Sequence, residues 1–192
     1  FAHFLQYGLR LAERTEYEFR AMDMGNVMHQ ALENFAVRVH KMGLNWAELT
    51  DEQREQIADQ CLNEIVADYG NTVLKSNARN EYMIERTRRI LQRTVWALQK
   101  QLQNGDFQPE GFEVIFGGGR IDRVDIMEDQ DKVYVKVIDY KTGNTSFDLV
   151  CLYHGLQLQL MIYMDGALTV EQNKHKNKEV IPAGVFYYNI KD

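Results

Sequence analysis

The spacing of apolar residues changes near Pro109, and this change constrains the fold more than any other feature of the sequence. Before Pro109, apolar residues recur every three or four positions, which is typical of helices with one buried face. After Pro109 they alternate with polar residues, as they do along strands with one buried face. Helices followed by strands, a helix and a further strand predict an α/β fold with a helical layer. We expect one structural domain, with a helical part in residues 1–108 and an α/β core in residues 109–192.

Three helices are predicted in the N-terminal part. The first stops before Gly43, and the third covers about residues 80–104. The second opens at Thr50, which forms a capping-box pattern with Gln53. The apolar residues expected to face the core are Met24, Val27, Met28, Ala31, Phe35, Val39 and Met42, then Ile57, Cys61, Ile65 and Tyr69, then Ile90, Leu91, Val95, Leu98 and Leu102.

Four strands are predicted after Pro109, at residues 112–116, 119–126, 132–141 and 183–190. The polar turn 128–131 joins the second and third strands and predicts a hairpin. A helix over about residues 152–168 precedes the last strand. The three glycines at 117–119 indicate either a flexible turn or a place where a longer loop is missing. They are not a nucleotide-binding loop, because no Gly-Lys-Ser/Thr follows them and they open a strand.

Composition limits the class of protein. The chain has 192 residues and a net charge of −6, which argues against broad electrostatic affinity for nucleic acid but leaves room for a local basic channel. No apolar run approaches the roughly 20 residues that cross a membrane.

Cys61 and Cys151 are far apart, which is typical of a reduced, intracellular protein with two ordinary buried thiols. Because the chain starts at Phe1 without methionine, we expect it to be a fragment of a larger protein.

Two acidic residues are predicted to converge at the ends of neighbouring strands. Alternation places Asp139 and Lys141 on one face of their strand, and an antiparallel neighbour would bring Asp122 to the same side. Carboxylates that converge repel each other, and a divalent cation relieves that repulsion. A lysine beside them can orient an attacking water. The alternative is structural: Asp122 pairs with Arg120 or Arg123, and Asp139 forms a surface ion pair with Lys141. The Asp-x-Lys pattern alone favours this alternative.

Three segments in a fixed order favour the metal site over the structural alternative. They are GRIDRVD (119–125), VIDYKTG (137–143) and GLQLQLMIY (155–163). This series resembles the RecB-like nucleases of the PD-(D/E)xK superfamily, which have an acid on one strand, Asp-x-Lys on the next and Gln-x-x-x-Tyr on the following helix. Gln159 and Tyr163 match the last motif. Gly25 and His29 match the Gly-x-x-x-His pattern that the family places on an N-terminal helix. Within the superfamily the series looks most like the AddB-type nuclease domains, with His154 in place of a tyrosine.

The resemblance implies a restriction-endonuclease-like fold, a mixed sheet core flanked by helices, and a metal-dependent DNA nuclease. Mg²⁺ or Mn²⁺ would be bound by His29, Asp122, Asp139 and the backbone carbonyl of Tyr140. Lys141 would assist the attacking water. The catalytic residues implied are Asp122, Asp139, Lys141, Gln159 and Tyr163, of which the last two would hold the DNA backbone or the lysine.

The resemblance also implies a biological setting. Such domains act as exonucleases on single strands within bacterial, cytoplasmic helicase–nuclease complexes of double-strand break repair and recombination, with an AddA-type helicase–nuclease subunit as partner and no membrane. Related nucleases often hold an iron–sulfur cluster with four cysteines. Cys61 and Cys151 do not occupy those places, so a cluster is expected only in a full-length protein.

A catalytically silent module remains a second interpretation of the sequence. In it, the nuclease fold would serve for DNA binding or subunit docking alone.

Three arginines on one face of the third predicted helix, Arg86, Arg89 and Arg93, could contact DNA phosphates. Acidic neighbours such as Glu81 and Glu85 favour an ion-paired surface instead.

Overall fold

A computed structural model of the chain describes residues 21–68, 78–117 and 119–190. The helices are α1 (Ala21–Lys41), α2 (Asp51–Asp68), α3 (Ala78–Gln103), α4 (Leu149–Tyr153) and α5 (Gln159–Lys174), with a short 3-10 turn at Trp46–Glu48. The strands are β1 (Gln108–Phe116), β2 (Gly119–Glu128), β3 (Lys132–Lys141) and β4 (Glu179–Asn189). The predicted α/β class, with an N-terminal helical layer, is confirmed. None of the described helices is long and apolar enough to cross a membrane.

The helical layer forms because three amphipathic helices bury their apolar stripes together. The predicted core residues of α1, α2 and α3 lie in one cluster, apart from Met42 and Tyr69, while Met24 packs against the edge of that cluster. Met42 was placed wrongly: it is 57% exposed, because α1 ends at Lys41 and the chain turns at Gly43 with a φ of 66°. Tyr69 lies outside the described residues.

The start of α2 is fixed by the predicted capping box. The backbone N–H of Gln53 donates to Thr50 Oγ1 at 3.2 Å, and the backbone N–H of Thr50 donates to Gln53 Oε1 at 3.1 Å. Each bond satisfies a donor that the helix itself leaves unpaired. Of the two cysteines, Cys61 in α2 is buried as predicted, whereas Cys151 in α4 is only partly buried; both are free thiols.

The four strands form one mixed sheet in the order β1-β2-β3-β4. The pairs β1–β2 and β2–β3 are antiparallel, so the predicted hairpin around residues 128–131 is confirmed. β3 and β4 are parallel, and such a pair needs a crossover connection, which contains α5. The helical layer covers one face of the sheet and α5 covers the other, so the sheet is buried between two apolar clusters.

The single helix predicted over residues 152–168 is wrong. The structure has two helices there, α4 and α5, separated by residues 154–158. Gly155 adopts a φ of 74°, a left-handed conformation that glycine tolerates and that ends α4. As a result α5 begins at Gln159, and Gln159 and Tyr163 both lie in its first two turns.

The packing of α5 on β1 depends on Gly166. A Cβ at this position would overlap the ring of Phe116. We expect Gly166→Ala to lower the free energy of unfolding by about 1–3 kcal/mol, because steric overlap in a packed interface outweighs the gain in helix propensity. Urea denaturation would measure the loss. Gly105→Ala, whose Cβ has its nearest neighbour at 3.8 Å, is the control; equal stability of the two variants would contradict the prediction.

Candidate active site

The predicted site residues meet in one open cleft of about 710 Å³, formed by α1, the first three strands and the start of α5. All seven line its walls: His29, Asp122, Asp139, Tyr140, Lys141, Gln159 and Tyr163. The arginines suggested as DNA contacts on α3 are not among its lining residues, and Arg93 lies instead beside Tyr188 in a separate depression.

Three side chains in the cleft form a compact group. His29 Nδ1 lies 3.5 Å from Asp122 Oδ1 and 3.9 Å from Glu113 Oε1. One ligand atom from each of the three residues lies within 4.8 Å of those from the other two. An imidazole and two carboxylates at this spacing are the ligand types that bind divalent cations such as Mn²⁺ and Mg²⁺.

The main chain of Tyr140 ties this group to β3. Its N–H donates to Asp122 Oδ2 at 2.7 Å, and its carbonyl oxygen lies 3.1 Å from His29 Nε2. The tyrosine ring is buried in the core on the helical side of the sheet, where it packs edge-on against Tyr188. The backbone of Tyr140 therefore faces the cleft and its side chain anchors the strand.

A second group lies along β3 and α5. Lys141 Nζ is 2.6 Å from Asp139 Oδ2 and donates to Gln159 Oε1 at 3.1 Å. Gln159 Nε2 in turn donates to the hydroxyl of Tyr163 at 2.9 Å. Asp139 is only 2% exposed, so the interpretation of Asp139 and Lys141 as a surface ion pair is wrong. The lysine is instead held in one position by a buried carboxylate and an oriented amide.

The surroundings of three side chains in the cleft raise their pKa values. Burial raises the pKa of Asp139 above its ordinary value; Lys141 opposes this shift, and the charge of Asp122 adds to it. Burial and the charge of Asp122 also raise the pKa of Glu113. A hydrogen bond to Asp122 raises the pKa of His29. Carboxylates whose ionised forms are disfavoured in this way are stabilised by a divalent cation, so the donor set fits a metal.

Glu113 was missed in the sequence. It has a φ of 49°, a strained conformation for a residue with a side chain, and strain of this kind clusters at functional sites. Next to Glu113, β1 and β2 both lose the regular alternation of side chains between the two faces of the sheet. Phe112 and Arg123 pack on the helical side, whereas Val114 and Ile121, two residues away in each strand, pack in the cluster with α5. The sequence signal was weak: one acid in the apolar segment FEVIF (112–116).

The structure of β2 also differs from regular alternation and from the arginine pairing considered for Asp122. Strict alternation would put Ile121 and Val124 on opposite faces, yet both pack in the cluster with α5. The alternative pairing of Asp122 with a neighbouring arginine is wrong as well. Arg123 is bound to Asp125, and Arg120 Nη1 lies 3.1 Å from Glu113 Oε2. Asp122 therefore faces the imidazole and the Tyr140 amide.

Comparisons with known proteins show which family the sequence matches. The family model described as the PD-(D/E)XK nuclease superfamily matches residues 1–192. The chain is 47% identical over 200 residues to the B-type subunit of an ATP-dependent helicase/deoxyribonuclease from Lachnoclostridium phytofermentans, covering 100% of the chain and 17% of that protein. Proteins with the same name from Alkaliphilus metalliredigens and Clostridium tetani are 37% and 34% identical over 213 and 212 residues; each match covers 100% of the chain and 18% of the relative. The chain thus spans less than a fifth of the length of these curated relatives.

Proposed function

The chain belongs to the PD-(D/E)XK nuclease superfamily, and from this membership we propose that its cleft hydrolyses phosphodiester bonds of DNA with the help of Mg²⁺ or Mn²⁺. One observation supports the proposal above all others. His29, Glu113 and Asp122 form a compact ligand group, and the buried Asp139 and the fixed Lys141 line the same cleft.

The metal would be held by His29, Asp122 and Asp139, by Glu113, which the structure adds, and by the carbonyl of Tyr140. A divalent ion bound there supplies Lewis-acid polarisation of the phosphate and a water of lowered pKa. Asp122 is oriented for this task by the Tyr140 N–H, and His29 by its contacts with Asp122 and the Tyr140 carbonyl. A side chain already oriented in this way needs little rearrangement to bind an ion.

Lys141 would act on the water and on the phosphate. Its ammonium is held by Asp139 and Gln159, so it can place an N–H donor at a fixed point of the cleft. Such a donor orients an attacking water and stabilises charge that develops on a phosphoryl oxygen. Tyr163 keeps the Gln159 amide oriented through the hydrogen bond between them. A module without catalysis would have no need for this partly buried polar chain, which argues against the silent alternative.

The setting of the activity follows from the relatives, which are named as helicase/deoxyribonuclease subunits. We propose that residues 1–108 and 109–192 form one nuclease domain of such a protein. It would degrade single strands as an exonuclease in the bacterial cytoplasm, during double-strand break repair and recombination. An AddA-type subunit would be its partner, and the full-length protein could add an iron–sulfur cluster.

The metal site can be tested directly with Glu113→Gln. We expect the chain to bind Mn²⁺ and to degrade single-stranded DNA in Mg²⁺ but not in EDTA. Glu113→Gln should weaken Mn²⁺ binding, measured by calorimetry, by at least about tenfold, because it removes one charged ligand. Glu110→Gln is the matched control, since Glu110 pairs with Lys174 away from the cleft. A wild-type chain that binds no divalent cation, or cleaves equally well in EDTA, would refute the proposal.

A further inference from the structure

Arg120 lies beside the candidate metal group and has no role in the function proposed above. Its guanidinium contacts one oxygen of Glu113, and its side chain is 64% exposed at the mouth of the cleft. Glu113 is partly buried in the cleft wall, whereas the guanidinium of Arg120 is in solvent. A guanidinium has five N–H donors, and a single contact at 3.1 Å leaves most of them available to another anion.

Arg120 is the accessible cationic side chain of the cleft. Among the described lining residues, the arginine and lysine side chains are Arg120 and Lys141. Lys141 is 27% exposed and is held by Asp139 and Gln159, so it is already engaged. The chain has a net charge of −6, and carboxylates line the cleft, so a DNA strand would be repelled unless a nearby cation offsets this field.

Arg120 and a divalent cation also compete for the same carboxylate. Glu113 Oε1 lies 3.9 Å from His29 Nδ1, whereas Arg120 contacts Oε2. A divalent cation held beside His29 on Oε1 would reduce the negative charge that attracts Arg120. An ion pair with an exposed partner is weak, at about 0–1 kcal/mol, so little free energy opposes its release. The released guanidinium would remain at the cleft mouth, near the metal and able to bind two oxygens of one phosphate.

We propose that Arg120 binds the substrate backbone in this cleft: Glu113 holds it until a metal binds, and it then binds a phosphate of the DNA strand next to the one that is cut. The inference rests on the proposed nuclease function and deepens it, because it assigns the contact for the substrate backbone. It has a distinctive consequence. Removal of Arg120 should weaken DNA binding and strengthen metal binding, whereas removal of a merely structural residue would weaken both.

The test compares Arg120→Gln and Arg120→Lys with the wild-type chain. Mn²⁺ affinity is measured by calorimetry without DNA. The binding of a fluorescein-labelled thymidine oligonucleotide is measured by anisotropy in Ca²⁺ over a range of salt concentrations, with a gel to confirm that the strand stays intact. Lys132→Gln is the matched control, because it removes one positive charge at an exposed position. Lys132 begins β3, whereas the cleft lies at the other end of this strand, at Asp139 and Lys141.

For Arg120→Gln we expect DNA binding to weaken about tenfold and the slope of log affinity against log salt to fall by about 0.7, as for one lost phosphate contact on a single strand. Mn²⁺ should bind at least about twofold more tightly, because a competing cation is gone. Arg120→Lys should keep the salt slope. Unchanged DNA affinity and salt slope in Arg120→Gln, or parallel losses of metal and DNA binding, would overturn the inference while leaving the nuclease proposal standing. A wild-type chain that binds neither ion nor strand would overturn both.

Discussion

Asp139→Asn is expected to lower Mg²⁺-dependent cleavage of single-stranded DNA by at least about 1,000-fold while the fold stays intact. Asparagine has the same shape but no charge, so the metal would lose an anionic ligand and Lys141 its buried counter-ion. A 1,000-fold loss corresponds to about 4 kcal/mol of barrier. That is comparable to the several kcal/mol of charge stabilisation that a metal site contributes. The measurement is the initial rate of nucleotide release in Mg²⁺, with EDTA as the blank.

Stability separates lost chemistry from lost structure in this variant. Folding raises the pKa of Asp139, mainly through burial, so the folded state disfavours its ionised form. Stability that depends on this group is therefore greatest at low pH, where Asp139 is protonated, and falls as the pH rises through the unfolded and folded pKa values. At neutral pH the uncharged asparagine should unfold at the same urea concentration as the wild type, or a higher one. Asp165→Asn, on the exposed face of α5, is the activity control. Near-normal cleavage by Asp139→Asn would exclude the proposed role.

The order and type of most elements could be predicted because the periodicity of apolar residues directly reflects which face is buried. The helix that breaks at residues 154–158 shows the limit of this reasoning. Apolar residues such as Leu156 and Leu158 continue through the break, so the pattern suggests one helix, yet both are exposed in the structure. Gly155 alone marks the turn, and a glycine within a helical pattern is a weak signal.

Only part of the candidate site could be predicted from strand alternation. Asp139 and Lys141 belong to β3, whose predicted bounds match the structure, and their positions follow from alternation. Glu113 and Arg120 depend on the change of face around a positive φ, which is a product of tertiary packing and leaves no trace in local periodicity. Glu113 and Arg120, which the structure adds to the lining of the cleft, therefore lie at an irregular point of the sheet.

On the helical side of the sheet lies a buried charge cluster that the sequence did not reveal. Arg123 is 0% exposed, and its guanidinium donates to both oxygens of Asp125, at 2.5 and 2.9 Å. Lys136 Nζ lies 2.9 Å from the same carboxylate, and the guanidinium also packs over the rings of Trp46 and Phe112. One buried carboxylate thus balances two cations, and within the part of the chain that the structure describes no other carboxylate forms an ion pair with either.

Asp125→Asn should therefore cost about 3–5 kcal/mol in the free energy of unfolding, because it leaves a buried guanidinium without its counter-ion. Arg123 cannot escape by losing its proton, since a guanidinium stays charged in proteins. Typical domains are stable by about 5–15 kcal/mol, so the loss would be a large fraction of the total. Urea denaturation at neutral pH measures it. Asp131→Asn, in the exposed turn before β3, should change stability by less than about 0.5 kcal/mol.

The double variant Arg123→Met/Asp125→Leu distinguishes the cost of an unpaired charge from the value of the pair itself. Apolar side chains of similar length remove both charges together, and replacement of a buried ion pair in this way is often neutral or stabilising. Lys136 would remain, but its ammonium packs over the Phe107 ring and its side chain is 11% exposed, so it can reach solvent. We expect the double variant to be more stable than Asp125→Asn. If it were less stable, the ion pair itself, with its hydrogen bonds, would be shown to stabilise the sheet.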